Sequence, residues 1–182
     1  LEKLDEVESG LPNLELTVVV PYELAGRSKD DHAVVESRLL WQEFIRPYHP
    51  KPVDFPHHDF NHPWYVLYSS GTTGKPKCIV HRSGGVLLKH MVEHGLQCDM
   101  RPGDRVFYYS TAGWMMWNWL VSALASEATV ILYDGSPFHP SPTALFDLAD
   151  ELSITLFGVS AKYIDACAKA EISPKETHNL AS

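Results

Sequence analysis

Apolar and polar positions alternate in short blocks along the chain. Leu14, Leu16, Val18, Val19 and Val20 form a β-rich run closed by Pro21, which predicts a buried strand. The polar stretch Ala25–Ala33 reads as a loop. Val34–Arg46, with Val35, Leu39, Leu40, Phe44 and Ile45, predicts a short helix that stops before Pro47. Five prolines between Pro47 and Pro63 deny that segment regular structure, so it reads as a long surface loop.

Further on the pattern sharpens. Trp64–Tyr68 predicts a strand, and Cys78–Val80 a second short one. Gly84–Gln97 has helical spacing. Leu87, Leu88, Met91, Val92, Gly95 and Leu96 share one face, expected inside; Lys89, His90, Glu93, His94 and Gln97 share the other, expected outside. Val106–Tyr109 predicts a strand, Trp114–Ala125 a nearly all-apolar helix and Thr129–Tyr133 a strand. Pro142 is expected to open a helix behind an N-cap Ser141, with Leu145, Leu148, Ala149 and Leu152 inside. Ile154–Gly158 predicts another strand and Ala161–Lys169 a last helix. Strands alternating with helices imply an α/β fold with a mostly parallel sheet.

Composition narrows the function classes. With 182 residues, 45% of them apolar, the chain can bury a sizeable core and is not intrinsically disordered. Its formal net charge of −8 argues against nucleic acid as a partner. Trp114–Tyr133 is long enough to raise a membrane span, but Asn118, Ser122, Ser126, Glu127 and Thr129 interrupt it, so no span is expected. The three cysteines, Cys78, Cys98 and Cys167, are odd in number and far apart. They predict small buried hydrophobes and a reducing, cytoplasmic compartment. His57, His58, Asp59 and His62 are ligand-type side chains, yet their spacing matches no usual zinc pattern, so no metal site is expected there.

The strongest chemical signal is Tyr68-Ser-Ser-Gly-Thr-Thr-Gly-Lys-Pro-Lys77, placed directly after a strand. Gly71 and Gly74 allow φ > 0 and close approach of backbone to a ligand. Successive N–H groups in such a turn form an anion-binding nest. Ser69, Ser70, Thr72 and Thr73 offer hydroxyl donors to phosphate oxygens, and Lys75 and Lys77 offer positive charge. The pattern is not a Walker A loop: Ser69 stands where that motif needs Gly, and Pro76 where it needs Ser or Thr.

This run resembles the phosphate-binding signature of the adenylate-forming superfamily, [ST][ST]G[ST]TGxPK, which includes acyl-CoA synthetases, luciferases and nonribosomal peptide adenylation domains. Cys78-Ile-Val-His81, Thr111-Ala-Gly-Trp-Met-Met-Trp-Asn-Trp119 and Leu132-Tyr-Asp-Gly-Ser-Pro137 narrow the resemblance to its acetoacetyl-CoA synthetase branch. The resemblance implies a two-step reaction: a carboxylate, acetoacetate, attacks ATP to give an acyl-adenylate, and coenzyme A then displaces AMP. Mg²⁺ would share the phosphate charge. By motif match Ser69, Ser70, Gly71, Thr72, Thr73, Gly74 and Lys77 are ATP contacts, with Thr72 and Lys77 catalytic. The same resemblance sets Trp114, Met115 and Met116 beside the acyl pocket; core packing is the other reading of these side chains. His81 either faces the nucleotide or is a satisfied structural histidine.

Other parts of the family pattern do not occur in these residues: a Tyr-Gly-x-Thr-Glu segment, a ribose-binding Asp, and a smaller C-terminal domain with a catalytic Lys. The chain opens on Leu1, and Leu1–Gly10 resembles neither a signal nor a transit peptide. The expectation is therefore a fragment: residues 1–182 as part of the large N-terminal domain, inactive alone. Two alternatives remain at this point. One is a ligase for another short acid, such as acetate. The other is a catalytically dead truncation product that binds nucleotide or a partner.

Overall fold

The computed structural model describes residues 2–20, 38–69 and 74–181. The chain divides into two compact units, Leu1–Pro56 and His57–Ser182. In the first, helix α1 (Glu2–Ser9) precedes strand β1 (Thr17–Val19), which pairs in parallel with β2 (Arg38–Leu40); a short helix α2 (Trp41–Ile45) follows. The helix expected over Val34–Arg46 is present at Trp41–Ile45 and corrected at Arg38–Leu40, which is extended because Leu39 and Leu40 register against Val18 and Val19; Val34–Ser37 lie outside the described residues. The loop expected over Ala25–Ala33 lies outside the described residues.

Arg38 is buried, and its guanidinium grips the Glu8 carboxylate with both ends, Nε to Oε1 at 2.9 Å and Nη2 to Oε2 at 2.5 Å, while also pairing with Asp5. The fork geometry is the strong form of a charged hydrogen bond. Hydrogen bonding from Arg38 holds the Glu8 carboxyl down at about 2.

In the second unit, β3 (Pro63–Ser69) and β4 (Lys77–Arg82) form an antiparallel hairpin. Helix α3 (Ser83–Val92) follows and widens into one π turn over Glu93–Gln97. Gly84 is required at its start. Its amide donates to the Phe60 carbonyl at 3.0 Å, and the Phe60 ring covers the Cα so closely that a Cβ would sit 2.5 Å from Cγ. The Pro-rich segment is pinned there, since Arg82 also reaches the Asn61 carbonyl at 2.8 Å.

The core is a parallel sheet ordered β6-β5-β7, from β5 (Arg105–Tyr108), β6 (Thr129–Ile131) and β7 (Leu156–Gly158). The central strand is buried on both faces, as parallel strands are. Val106 points into one cluster with Met100, Trp119, Leu120, Ala123 and Ala128; Phe107 points into the other with Leu145, Ala149, Ile154, Tyr163 and Cys167. Helix α4 (Met115–Val121), continued by a 3-10 turn at Ser122–Ser126, supplies the first cluster. Helices α5 (Ala144–Glu151) and α6 (Ala161–Lys169) supply the second, and α7 (Pro174–Thr177) follows. This is the α/β arrangement expected, with an antiparallel hairpin added. The α5 cap is Thr143 rather than Ser141; the Ser141 hydroxyl instead accepts from the Thr143 amide one turn earlier.

One face assignment is partly overturned: of the residues expected outside, Lys89 and Gln97 are exposed, but His90 and Glu93 are half-buried and His94 is buried. On α3 and its π turn, Val86 and His94 are buried, whereas Leu88, Met91, Val92 and Leu96 are exposed, Leu96 by 78%. The polar face is drawn inward by partners on α4 and the turn after it. The Trp119 indole donates to Glu93 at 3.1 Å, His90 Nδ1 lies 2.6 Å from the Ser122 hydroxyl, and His94 meets Trp119 edge-on at 4.6 Å. A buried indole N–H and hydroxyl need hydrogen-bond partners, and an apolar face offers none. Two cysteine expectations also fail: Cys78 and Cys98 are exposed and only Cys167 is buried. Among the described residues no helix is long and apolar enough to cross a membrane.

Candidate functional site

The hairpin explains how the two ends of the Ser69–Lys77 motif meet. Leu67 pairs with Ile79 and Tyr68 with Cys78, which brings Ser69 opposite Lys77. Both strands are thereby fixed up to the last residue before the expected phosphate turn. Ser70, Gly71, Thr72 and Thr73 lie outside the described residues. Lys77 is exposed at the start of β4. Among the described residues, a Cβ at Gly74 would meet no atom within 4 Å.

Ser69 opens onto a cavity of about 840 Å³ shared by Tyr65–Ser69 of β3 and by Ala112, Gly113, Trp114, Met115 and Asn118. The hydroxyl end of the phosphate motif and the Gly113-Trp-Met segment therefore face the same space. Met116 is turned away and packs against the cluster around Val106 and Leu120. The helix start does this directly: Trp114 is the N-cap, in extended conformation, and successive residues of α4 then diverge by about 100° around the axis. Residues 115 and 118 share a face; residue 116 does not.

A second cavity of about 690 Å³ lies at the carboxyl ends of β5 and β6, the position where open parallel sheets bind ligands. It is lined by Tyr108–Ala112, Trp114, Trp117, Leu120 and Ile131–Gly135. Two tyrosines hold its rim, Tyr109 donating to the Gly135 carbonyl at 3.1 Å and Tyr133 to the Ser136 carbonyl at 2.9 Å. Trp114 borders both cavities. A third, of about 370 Å³, lies behind α4 between Trp64, Tyr65, Leu87, Asn118 and Ser122.

Electrostatics around the site are set by burial. Tyr65 is pushed up by desolvation, and its ring lies 5.2 Å from His81. His81 thus packs on the hairpin, which supports the structural reading of that residue. His90 and His94 are both held below the ordinary histidine range by burial, so each is neutral at neutral pH. His58 and His62 stack at 4.2 Å within the Pro-rich segment. Among the described residues no three His, Cys, Asp or Glu side chains converge as a metal site.

The residue-by-residue reading did not find Tyr65, Tyr109, Asp134 and Asn118 as cavity residues. Only Asn118 carried a signal: it is the one polar residue within α4, MMWNWLV.

A family model described as AMP-binding enzyme matches residues 1–182. Acetoacetyl-coenzyme A synthetase of Rhizobium meliloti is 51% identical over 166 residues, covering 91% of this chain and 25% of that protein. Malonamoyl-CoA synthetase of Penicillium aethiopicum is 44% identical over 189 residues, covering 96% of this chain and 26% of that protein. The structure of acetoacetyl-CoA synthetase from Streptomyces lividans superposes with a TM-score of 0.80 at 42% identity, covering 99% of this chain and 26% of that one. The chain spans about a quarter of the length of the curated relatives it matches.

Proposed function

The chain belongs to the AMP-binding enzyme family, and from that membership we propose that it supplies the phosphate-binding and acyl-binding part of an ATP-dependent acid–CoA ligase acting on acetoacetate. The observation that carries this reading is the single cavity onto which Ser69, Trp114 and Met115 all open. An acid and a nucleotide must meet in such a space, because a carboxylate oxygen has to reach the α-phosphorus of ATP. That attack forms the acyl–O–P bond and expels pyrophosphate; the coenzyme A sulfur then attacks the acyl carbon and expels AMP. Protein catalysis of phosphoryl and adenylyl transfer is mostly positioning and charge neutralisation.

Ser69, Ser70, Gly71, Thr72, Thr73, Gly74 and Lys77 hold the leaving phosphates, with Thr72 and Lys77 in the catalytic role. Trp114 and Met115 bound a short acyl group, and Met116 supports them from the core side. Mg²⁺, when bound, would neutralise charge on the phosphate oxygens. Residues 1–182 act as one portion of a large N-terminal domain. The partners are small molecules, and the net charge of −8 supports the exclusion of nucleic acid. Three free cysteines support a reducing compartment such as the cytoplasm.

A second reading has its own support in the malonamoyl-CoA synthetase relative. Malonamate and acetoacetate are both short acids with a carbonyl one methylene beyond the carboxylate. Acyl-CoA formation by the full-length ligase with acetoacetate, malonamate, acetate and butyrate tests the proposal. Acetoacetate should give the highest kcat/KM; preference for acetate or butyrate contradicts the assignment.

A further inference from the structure

Asn118 is anomalous where it stands. Asparagine is a poor helix-interior residue because its amide competes for backbone hydrogen bonds. The other six residues of α4 are apolar. Asn118 caps nothing: its backbone carbonyl accepts from the Ser122 hydroxyl at 2.8 Å, while its half-buried side-chain amide has no hydrogen-bond partner among the described residues. It borders the 840 Å³ cavity together with Ser69 and Met115, and the smaller cavity behind α4. Its amide opens to the cavity, where an entering ligand can replace water as its partner, and ligand pockets characteristically hold a few such polar groups to fix orientation.

Resting on the function proposed above, we infer that the Asn118 side-chain N–H donates to the keto carbonyl of the bound acid and makes the ligase selective for 3-oxo acids. The carboxylate is anchored at the Ser69 end, where it must meet ATP. The keto oxygen then lies farther along the same cavity, where the other lining groups named from α4 and its cap are Trp114 and Met115. Met115 cannot donate a hydrogen bond; the Trp114 indole carries one N–H on an exposed ring, whereas the half-buried Asn118 amide offers two N–H groups without a partner among the described residues. A saturated acid of the same length leaves that amide unmatched, and selectivity follows.

The test uses the full-length ligase with acetoacetate and with butyrate, which has the same chain length and no keto group. Asn118→Leu removes the donor at similar size, and Asn118→Asp keeps the shape while replacing N–H by an acceptor. Asn118→Leu should lose about 10- to 100-fold in kcat/KM for acetoacetate and stay within about threefold for butyrate; Asn118→Asp, which also brings a negative charge toward either carboxylate, should weaken both acids but acetoacetate by about tenfold more. Retained butyrate activity also reports that the variant is folded; if Asn118→Leu fails to fold, Asn118→Asp carries the measurement. Equal losses with both acids, or an unchanged acetoacetate-to-butyrate ratio, would overturn the assignment of Asn118 alone. A wild-type enzyme that prefers butyrate to acetoacetate would overturn the functional reading, and this inference with it.

Discussion

Replacing His94 by leucine should make the protein more stable, which is the reverse of the usual outcome for a fully buried residue. His94 is 0% exposed, and neither ring nitrogen makes a well-formed hydrogen bond among the described residues, the Trp119 backbone offering only a weak one. A neutral imidazole holds one N–H and one lone pair, and a buried polar group left unmatched costs about 1–3 kcal/mol. Leucine fills a similar volume without that cost. It forfeits the edge contact with Trp119, worth about 0.5–1.5 kcal/mol. The net gain is about 1 kcal/mol, or about 2–4 °C in Tm for a chain of this size. A pH signature accompanies it. Burial, reinforced by the neighbouring His90, holds His94 below its unfolded value of about 6.5. Below that pH the unfolded chain takes up a proton that the folded chain resists, so His94 costs stability as pH falls, by up to about 1.4 kcal/mol per pH unit. His90 acts in the same direction; Glu93 opposes it in both rings, and Lys89 and His81 add to it at His90. Urea unfolding of the 182-residue chain, followed by tryptophan fluorescence at several pH values between neutral and acid, reads both effects. The His94→Leu advantage should widen as pH falls below about 6.5. A variant less stable than wild type at every pH, or an advantage that shrinks on acidification, refutes the reasoning.

Gly84→Ala should destabilise by about 1–3 kcal/mol, because the Phe60 ring occupies the Cβ position. In a Phe60→Ala background the same change should become neutral or stabilising, by helix propensity; urea unfolding of the four proteins checks the reversal of sign. Lys77→Met in the full-length ligase should lower kcat/KM for ATP by about 10- to 100-fold, the worth of a charged hydrogen bond, without moving Tm, since Lys77 is exposed. Glu8, held at about 2 in the folded chain against an ordinary 4.5, contributes stability that is complete above about 4.5 and lost as pH falls toward 2. Arg38→Met should flatten that acid dependence in amide-exchange protection of α1 and β1.

Much of the second unit was legible because its local signals agree with its packing. β5 reads as a strand and is one, since Val106 and Phe107 each fill a different core cluster. α6 runs from Ala161 to Lys169 as its pattern predicts, with the Ser160 hydroxyl accepting from the Tyr163 amide at 3.2 Å as its cap. α3 shows where such reading stops. Periodicity separates two faces of a helix but does not say which one the protein buries. The deciding groups, Trp119 and Ser122, lie about 30 residues downstream and demand polar partners. Arg38–Leu40 failed for a related reason, as parallel pairing with Thr17–Val19 overrides local preference for helix. At the site, the Ser69–Lys77 motif was plain from residue types alone. The contribution of β3 was not, because Tyr65 and Tyr68 resemble ordinary strand residues until the cavity beside them is seen.

Ser69 and Trp114–Met115 face one cavity, and the proposed function has an acid carboxylate attack the α-phosphorus of ATP there. Acetoacetate labelled with heavy oxygen in its carboxylate tests this most directly. Turnover by the full-length ligase with ATP and coenzyme A should transfer one labelled oxygen to AMP and none to pyrophosphate. Label found in pyrophosphate or inorganic phosphate, or AMP left unlabelled during turnover, would contradict the account.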